Sequence, residues 1–273
     1  MEMGIIKKAC VAGAVLFSLV LNTACVTTQP DKSPGEKLQA EDREKAVELL
    51  NILDEINQFS PDTINSSFIA DGDRAGKKFR VEGRAVYDKK GYYYVTLMDY
   101  VFRSPIIEAY RDGEALYFYY PAEKQILVDD INKIDFYDYS GFRADFRFMQ
   151  TLFTGGIPVI NDYRISKLLR EKGNCYYLIL ENDEFYQNIC FNNNMPEKIL
   201  LIHKASKYKG EVYLKSVIRK DKSYFYRSVK IVAPALGVSM KLSFSKPVLN
   251  RRVKVKSVDS LKKRKGIRVV KIN

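Results

Sequence analysis

The densest run of strand signal in the chain lies between residues 77 and 130, and it limits what the chain can fold into. Residues 79–87 alternate between apolar and charged side chains, which is typical of a strand in a sheet with one dry face and one wet face. Four further segments rich in aromatic and β-branched residues follow, separated by short turns. They cover residues 92–98, 106–110, 116–120 and 125–128. This pattern predicts an antiparallel meander, and a curved sheet of this kind can hold an apolar ligand on its concave face.

The C-terminal half of the chain continues the strand pattern. Seven further segments with strand character lie between residues 164 and 244. With a first strand at residues 66–70, they bring the total to about thirteen candidate strands, which is too many for a small closed barrel. We therefore predict a mainly β (α+β) fold, with one large curved sheet or an unclosed antiparallel β-barrel.

Two segments have the three- and four-residue spacing of apolar side chains that is typical of amphipathic helices. The first covers residues 36–59, and the second covers residues 141–153 before a Gly-Gly-Ile-Pro turn. The apolar stripe of the second helix consists of Phe142, Phe146, Met149 and Phe153. Two interpretations stay open for each helix: it packs on the core, or it covers a cavity, in the second case as the removable lid of an apolar groove.

The N-terminus reads as a secretory signal peptide over residues 1–24. Two lysines precede an apolar run at residues 9–21, which is too short to span a bilayer comfortably. The run leads to Ala24 and Cys25, an arrangement that resembles the bacterial lipobox and predicts Cys25 as the lipidated residue, followed by a polar tether over residues 25–35. The alternative is an uncleaved anchor or an ordinary secretory signal with an incidental cysteine.

The positive charge of the chain is concentrated near the C-terminus. The formal net charge is +12, but ten Lys or Arg and only one acid lie between Arg251 and Lys271. The rest of the chain is close to neutral, so the overall charge does not indicate nucleic-acid binding. The basic extension over residues 251–273 either contacts anionic lipid headgroups or is a solvated, partly disordered segment, and residues 251–258 alternate as in a last strand.

The sequence contains no recognisable catalytic or metal-binding motif. His203 is the one histidine, and it lies within a strand segment, where a structural role is expected. We therefore expect no enzyme, no metal and no cofactor. If residues 181–184 form a tight hairpin turn, Cys175 and Cys190 lie directly opposite each other. A cross-strand disulfide and two unpaired buried thiols then remain as alternatives.

The loop at residues 99–105 carries two apolar residues, Val101 and Phe102. Apolar residues at a loop tip are unusual in a fully solvated loop. The loop either projects these side chains from the protein or folds Phe102 back onto the core.

Three segments together resemble the LolB/LolA lipoprotein-localisation family. Residues 79–87 are similar to an early strand of the family, with Phe79 leading to Gly83. Residues 97–108 are similar to the loop of the LolB branch that projects a hydrophobic residue, and residues 148–158 to a helix that ends in a Gly/Pro turn. The resemblance extends over roughly residues 40–245, and the chain departs from it in lacking Trp and in its basic extension.

The resemblance implies a lipid-binding domain over residues 36–250, with an unclosed barrel, a helical lid and a groove that binds the acyl chains of lipoproteins. The groove would be lined by Phe79, Val81, Ala85, Val95, Leu97, Leu116 and Phe118, and the lid by Phe142, Phe146, Met149 and Phe153. Val101 and Phe102 would form a membrane-insertion loop. Expected partners are lipoprotein acyl chains, a periplasmic LolA-like carrier and, through the lipid anchor, a membrane, with the protein itself a monomer.

The expected location is the cell envelope, lipid-anchored at the outer membrane and facing the periplasm. Val26 follows Cys25 at a position where Asp is associated with inner-membrane retention in some bacteria, which favours the outer membrane. Two other functions stay open. A structural or adhesive surface lipoprotein would fill its sheet with its own side chains, and a LolA-like stress sensor would bind a protein partner in the inner membrane.

Overall fold

The structure, a computed structural model, describes residues 39–131, 146–171, 175–254, 256–263 and 265–272. The proposed signal peptide, Cys25 and the polar tether lie outside these residues. The described part contains a large buried core, so a chain that starts at residue 36 is expected to fold.

Fourteen described strands and three short or medium helices make up the fold. The helices are α1 (Ala40–Gln58), α2 (Phe146–Phe153) and α3 (Asp259–Lys262), with a 3₁₀ turn at Pro234–Leu236. The strands are β1 (Thr63–Arg74), β2 (Lys77–Asp88), β3 (Tyr92–Asp99), β4 (Pro105–Asp112), β5 (Ala115–Tyr120), β6 (Gln125–Asp130), β7 (Arg164–Arg170), β8 (Cys175–Glu181), β9 (Phe185–Asn192), β10 (Met195–His203), β11 (Lys209–Lys220), β12 (Ser223–Ala233), β13 (Val238–Leu249) and β14 (Arg268–Lys271).

All fourteen strands belong to one sheet in the order β14-β6-β5-β4-β3-β2-β1-β13-β12-β11-β10-β9-β8-β7. Within β1–β6 and within β7–β13, strands that are neighbours along the chain pair antiparallel, and β1 pairs antiparallel with β13, which joins an N-terminal meander to a C-terminal one. The two ends of the order, β14 and β7, do not pair with each other. The predicted unclosed antiparallel β-barrel is therefore confirmed.

Helix α1 covers part of the concave face of the sheet. Its residues Leu49, Leu53 and Ile56 are buried in the main core, and each contributes roughly 1.5–3 kcal/mol through the loss of apolar surface from water. Lys45 lies over the ring of Tyr176 on β8 and donates a hydrogen bond to Asn194 after β9. These contacts place the helix over the C-terminal meander.

A buried loop at residues 154–160 fills the space beside α1. Two amide side chains replace the backbone partners that this loop lacks. Asn57 of α1 donates to the Ile157 carbonyl (2.9 Å) and accepts from the Ile157 N–H (2.7 Å). Gln187 of β9, which is fully buried, donates to the Pro158 carbonyl (2.7 Å) and accepts from the Ile160 N–H (3.0 Å). The loop can be buried because these bonds satisfy its polar groups.

The C-terminal segment packs against the convex face of β3–β6, which corrects its interpretation as a solvated extension. Val258 and Leu261 are buried against Tyr110, Tyr119 and Ile126. The only described strand in this segment is β14, which pairs parallel with β6, so the strand expected at residues 251–258 is wrong. The segment folds back because the aromatic convex surface offers an apolar partner to its few apolar residues.

The same segment is also held by its basic side chains. Lys256 forms an ion pair with the buried carboxylate of Glu108 (2.9 Å) and lies over the ring of Tyr94. Lys262 lies over the ring of Tyr117 at 4.3 Å. Lys256 and Lys262 therefore help to hold the C-terminal segment against the sheet.

Candidate functional site

The predicted groove residues of the sheet all lie on its concave face. Ala85 of β2 opposes Val95 of β3, and Val95 opposes Ala109 of β4, which opposes Phe118 of β5. Leu97 opposes Ile107 one step further along these strands. Phe79, Val81 and Leu116 share this face because side chains two residues apart along a strand point to the same side.

On the C-terminal meander, α1 and the buried loop cover the concave face. On the N-terminal meander, the concave face is less covered. Residues such as Leu178, Ile189 and Ile199 are fully buried beneath α1 and the buried loop. In contrast, six of the seven predicted groove residues on β2–β5 are only half-buried. They are Phe79 and a set of five that consists of Val81, Ala85, Val95, Leu97 and Phe118. We call the surface shared by these five residues the β2–β5 groove.

Two of the predicted lining residues, Leu116 and Phe79, pack closely against neighbouring residues of the sheet. Leu116 is 1% exposed and packs with Ile131 and Phe118, so it supports the groove from within the core. The ring of Phe79 lies over Gly72, where a Cβ atom would come within 2.0 Å of it. Phe79 is half-buried and stays on the concave side of the sheet.

Helix α2 lies against the concave core, as expected of a lid. Its residues Met149 and Phe153 are half-buried and pack on the main cluster. The predicted helix began at residue 141, but residues 132–145, including Phe142, lie outside the described residues, as does the side chain of Phe146. The lid function of the four aromatic and apolar residues therefore stays a prediction.

A polar cluster closes one end of the β2–β5 groove, and the sequence prediction missed it. Arg111 follows Ile107 and Ala109 on the concave face of β4, so the alternation of this strand could have revealed it. Its Nη1 donates to Oε1 of Gln150 on α2 (2.5 Å), and its Nε donates to the Gly113 carbonyl (2.9 Å). The amide of Gln150 also interacts with the hydroxyl of Tyr87.

Burial changes the acid–base properties of this cluster. Desolvation raises the pKa of Tyr87 and the pKa of Tyr93, which opposes Arg111 across β3 and β4. Desolvation also lowers the pKa of Arg111 from its ordinary value, and the charge of Arg147 acts in the same direction. Arg111 keeps its charge at neutral pH because guanidinium begins from a very high pKa.

The loop between β3 and β4 projects its two apolar residues into solvent. Val101 is 77% exposed and Phe102 is 83% exposed, so Phe102 does not fold onto the core. The carboxylate of Asp99 accepts hydrogen bonds from the backbone N–H groups of Val101 (2.9 Å) and Phe102 (2.7 Å), which defines the turn. This loop stands at the Leu97 end of the groove, opposite Arg111.

The cysteine register differs from the prediction. Cys175 opposes Asn192, and Cys190 opposes Tyr177, so the two cysteines are diagonal neighbours and both are free thiols. The β8–β9 turn is tight but lies one residue later than predicted, because the Asn182 N–H donates to the Phe185 carbonyl (3.0 Å) and the Asn182 side chain accepts hydrogen bonds from the N–H groups of Glu184 and Phe185. The directly opposed arrangement is wrong.

His203 has the structural surroundings that were expected of it. Its Nδ1 lies 2.7 Å from the Ser206 hydroxyl, and its ring lies 5.3 Å from that of Phe185. Within the described ranges, no group of three or more His, Cys, Asp or Glu side chains is arranged to hold a metal ion.

Comparison with solved structures identifies the fold. A LolA superfamily protein from Nitrosomonas europaea aligns with a TM-score of 0.51 and 11% identity, over 76% of this chain and 94% of that one. A DUF1329 family protein from Desulfovibrio piger aligns with a TM-score of 0.56 and 12% identity, over 77% and 94%. A domain described as an outer membrane lipoprotein-sorting protein, from Vibrio parahaemolyticus, aligns with a TM-score of 0.55 and 14% identity, over 81% and 99%.

These likenesses define the class of protein by its fold. The chain has a LolA/LolB-like fold, as the sequence resemblance implied. No protein-family model matches the chain, and no curated protein matches it. Across the part of the chain that the structure describes, no helix combines the length and apolar character that a membrane span requires.

Proposed function

We propose that this protein is a membrane-anchored lipoprotein of the cell envelope that binds the acyl chains of lipoproteins in the β2–β5 groove and helps insert them in the outer membrane. The observation that carries the proposal is the half-buried apolar surface of Val81, Ala85, Val95, Leu97 and Phe118 beside a concave half that is already filled. A bound acyl chain would complete the burial of this surface, at about 0.8 kcal/mol per methylene group. No covalent chemistry is required.

The LolA/LolB-like fold supports the same proposal. In the proposed sequence of events, a periplasmic LolA-like carrier delivers the acyl chains, and Cys25 holds the protein at the membrane through its lipid. Helix α2 would move to admit the ligand, because Met149 and Phe153 pack against the same core cluster as most of the groove residues. The projecting Phe102 would then enter the membrane surface and aid transfer.

Replacing Leu97 by glutamate is expected to weaken acyl binding at least tenfold, because the carboxylate would lie in the apolar floor of the groove. Residues 36–273 would be titrated with the neutral fluorescent probe N-phenyl-1-naphthylamine, and the probe displaced with a ten-carbon acyl ligand. Tyr92→Glu is the matched control, because Tyr92 is exposed and faces the convex side of the same strand. If wild-type protein binds neither the probe nor the acyl ligand, the carrier function is refuted and a structural lipoprotein is favoured.

The second arm of this experiment tests the projecting loop. Phe102→Ser is expected to leave probe displacement unchanged, since Phe102 lies outside the groove, and to slow transfer of a fluorescent acylated peptide to lipid vesicles. Val217→Ser removes another exposed apolar side chain from a distant strand and serves as the control. Equal transfer by Phe102→Ser and wild type would remove the insertion role from this loop.

A further inference from the structure

The β2–β5 groove carries one strongly polar side chain on an otherwise apolar strand face. Along the concave side of β4, Ile107 and Ala109 are followed by Arg111, whose neighbours on β3 and β5 are Tyr93 and the buried Leu116. Four residues of strand separate Ile107 from Arg111, which corresponds to about 14 Å. The cation therefore stands at one end of an apolar path, with the projecting loop at the other end.

The guanidinium of Arg111 keeps donors available. A guanidinium has five N–H donors. Two N–H groups of Arg111 donate hydrogen bonds, one to Gln150 and one to the Gly113 carbonyl. Among the described residues, no carboxylate lies within ion-pair distance of Arg111, although the cation is half-buried. A half-buried cation without a direct counter-ion among the described residues is a favourable place for an anion.

The surroundings of Arg111 strengthen this attraction. Arg147 of α2 lies close enough for its positive charge to act on Arg111, and this charge also favours an anion. The negative charge of Glu114 acts in the opposite direction, but Glu114 is exposed. The Gln150 amide and the Tyr87 hydroxyl supply neutral hydrogen-bonding groups beside the cation. Charge-assisted hydrogen bonds from Arg to a carboxylate or phosphate are stronger than neutral ones, and the planar guanidinium can donate two in parallel.

We infer that Arg111 forms a subsite for the anionic end, a carboxylate or a phosphate, of an amphiphile whose acyl chain lies along the β2–β5 groove toward Leu97. This inference rests on the proposed function, because it requires the groove to bind acyl chains. It goes beyond that function by assigning the groove a further class of ligand, an amphiphile with an acyl chain and an anionic end, and by assigning that ligand an orientation. Gln150 would release or share its bond to Nη1 when the anion binds.

The test compares three ligands with the same ten-carbon chain: decanoate, decyl phosphate and the neutral decanol. Each displaces N-phenyl-1-naphthylamine from residues 36–273 at pH 7.5. Wild-type protein is expected to prefer at least one of the two anions over decanol by about tenfold or more, as for a hydrogen bond to a charged group. The ranking of decanoate and decyl phosphate identifies which headgroup the subsite takes.

Arg111→Gln is expected to abolish this preference, so that decanoate and decyl phosphate bind no more tightly than decanol. Arg111→Lys keeps the positive charge but loses the planar pair of N–H donors. It is therefore expected to retain part of the preference, which would show that the site still folds. Arg84→Gln is the control, because Arg84 is exposed on the convex face of β2. If wild-type protein binds all three ligands equally, or if Arg111→Gln keeps the preference for the anion, the proposed subsite is refuted. Binding of acyl chains in the groove is not refuted by either result. Failure of all three ligands to displace the probe overturns the proposed function itself, and the subsite with it.

Discussion

Replacing Gln187 by leucine is expected to lower the free energy of unfolding by about 2–5 kcal/mol, because it leaves two buried backbone groups without partners. The side chain of Gln187 is fully buried on the concave face and bonds the Pro158 carbonyl and the Ile160 N–H. Leucine has a similar volume but can neither donate nor accept. The loss would appear as a lower midpoint in urea unfolding followed by circular dichroism.

The control for this change is Asn192→Leu in the same strand. Asn192 also uses its amide, but it bonds the exposed side chain of Glu197 at 3.2 Å. Water can replace that partner, so the expected loss is below about 1 kcal/mol. If Gln187→Leu unfolds at the wild-type midpoint, the buried loop is held by its apolar packing and not by the amide.

Replacing Gly83 by alanine is expected to cost about 2–3 kcal/mol, because the new Cβ atom overpacks the core. The ring of Phe68 lies over Gly83, and the added Cβ would come within 2.2 Å of it. Phe68 is itself buried and contacts Phe244 at 5.7 Å between ring centroids, so it has little room to move. Urea unfolding measures the effect.

Gly72→Ala provides the matched comparison. Its Cβ would lie within 2.0 Å of the Phe79 ring, yet Phe79 is half-buried and can rotate toward the groove. We expect a loss below about 1 kcal/mol for this variant. The double change Gly83→Ala with Phe68→Leu should cost less than the sum of the two single changes, because leucine vacates the space over residue 83. Equal losses for Gly72→Ala and Gly83→Ala would contradict this packing account.

The strand pattern allowed the concave face to be predicted from the sequence. Residues 79–87 alternate almost cleanly, with Val86 as the exception, and a period of two assigns each side chain to one face without knowledge of distant contacts. Val81, Ala85, Val95 and Leu97 were therefore placed correctly on one side. The projecting loop could also be anticipated, because its apolar residues lie between two short strands.

The coverage of that face could not be predicted from local patterns. Asn57 and Ile157 are 100 residues apart, and Lys256 and Glu108 are 148 residues apart. Contacts of this kind decide which half of the concave face is filled and where the C-terminal segment packs. The cysteine register was predicted wrongly for a local reason: the Asn182 side chain stabilises a tight turn at residues 182–185, one residue later than the turn expected at residues 181–184.

Photoaffinity labelling would locate an acyl chain on the concave side of β2–β5. Residues 36–273 would be irradiated with a hexadecanoic acid that carries a diazirine in its chain, and the labelled positions mapped by mass spectrometry of peptides. If the chain lies in the β2–β5 groove, we expect labels that unlabelled hexadecanoic acid competes away and that are concentrated on Val81, Ala85, Val95, Leu97 and Phe118. Labels confined to convex residues such as Tyr92 and Tyr117, or no competed label at all, would contradict binding in the groove.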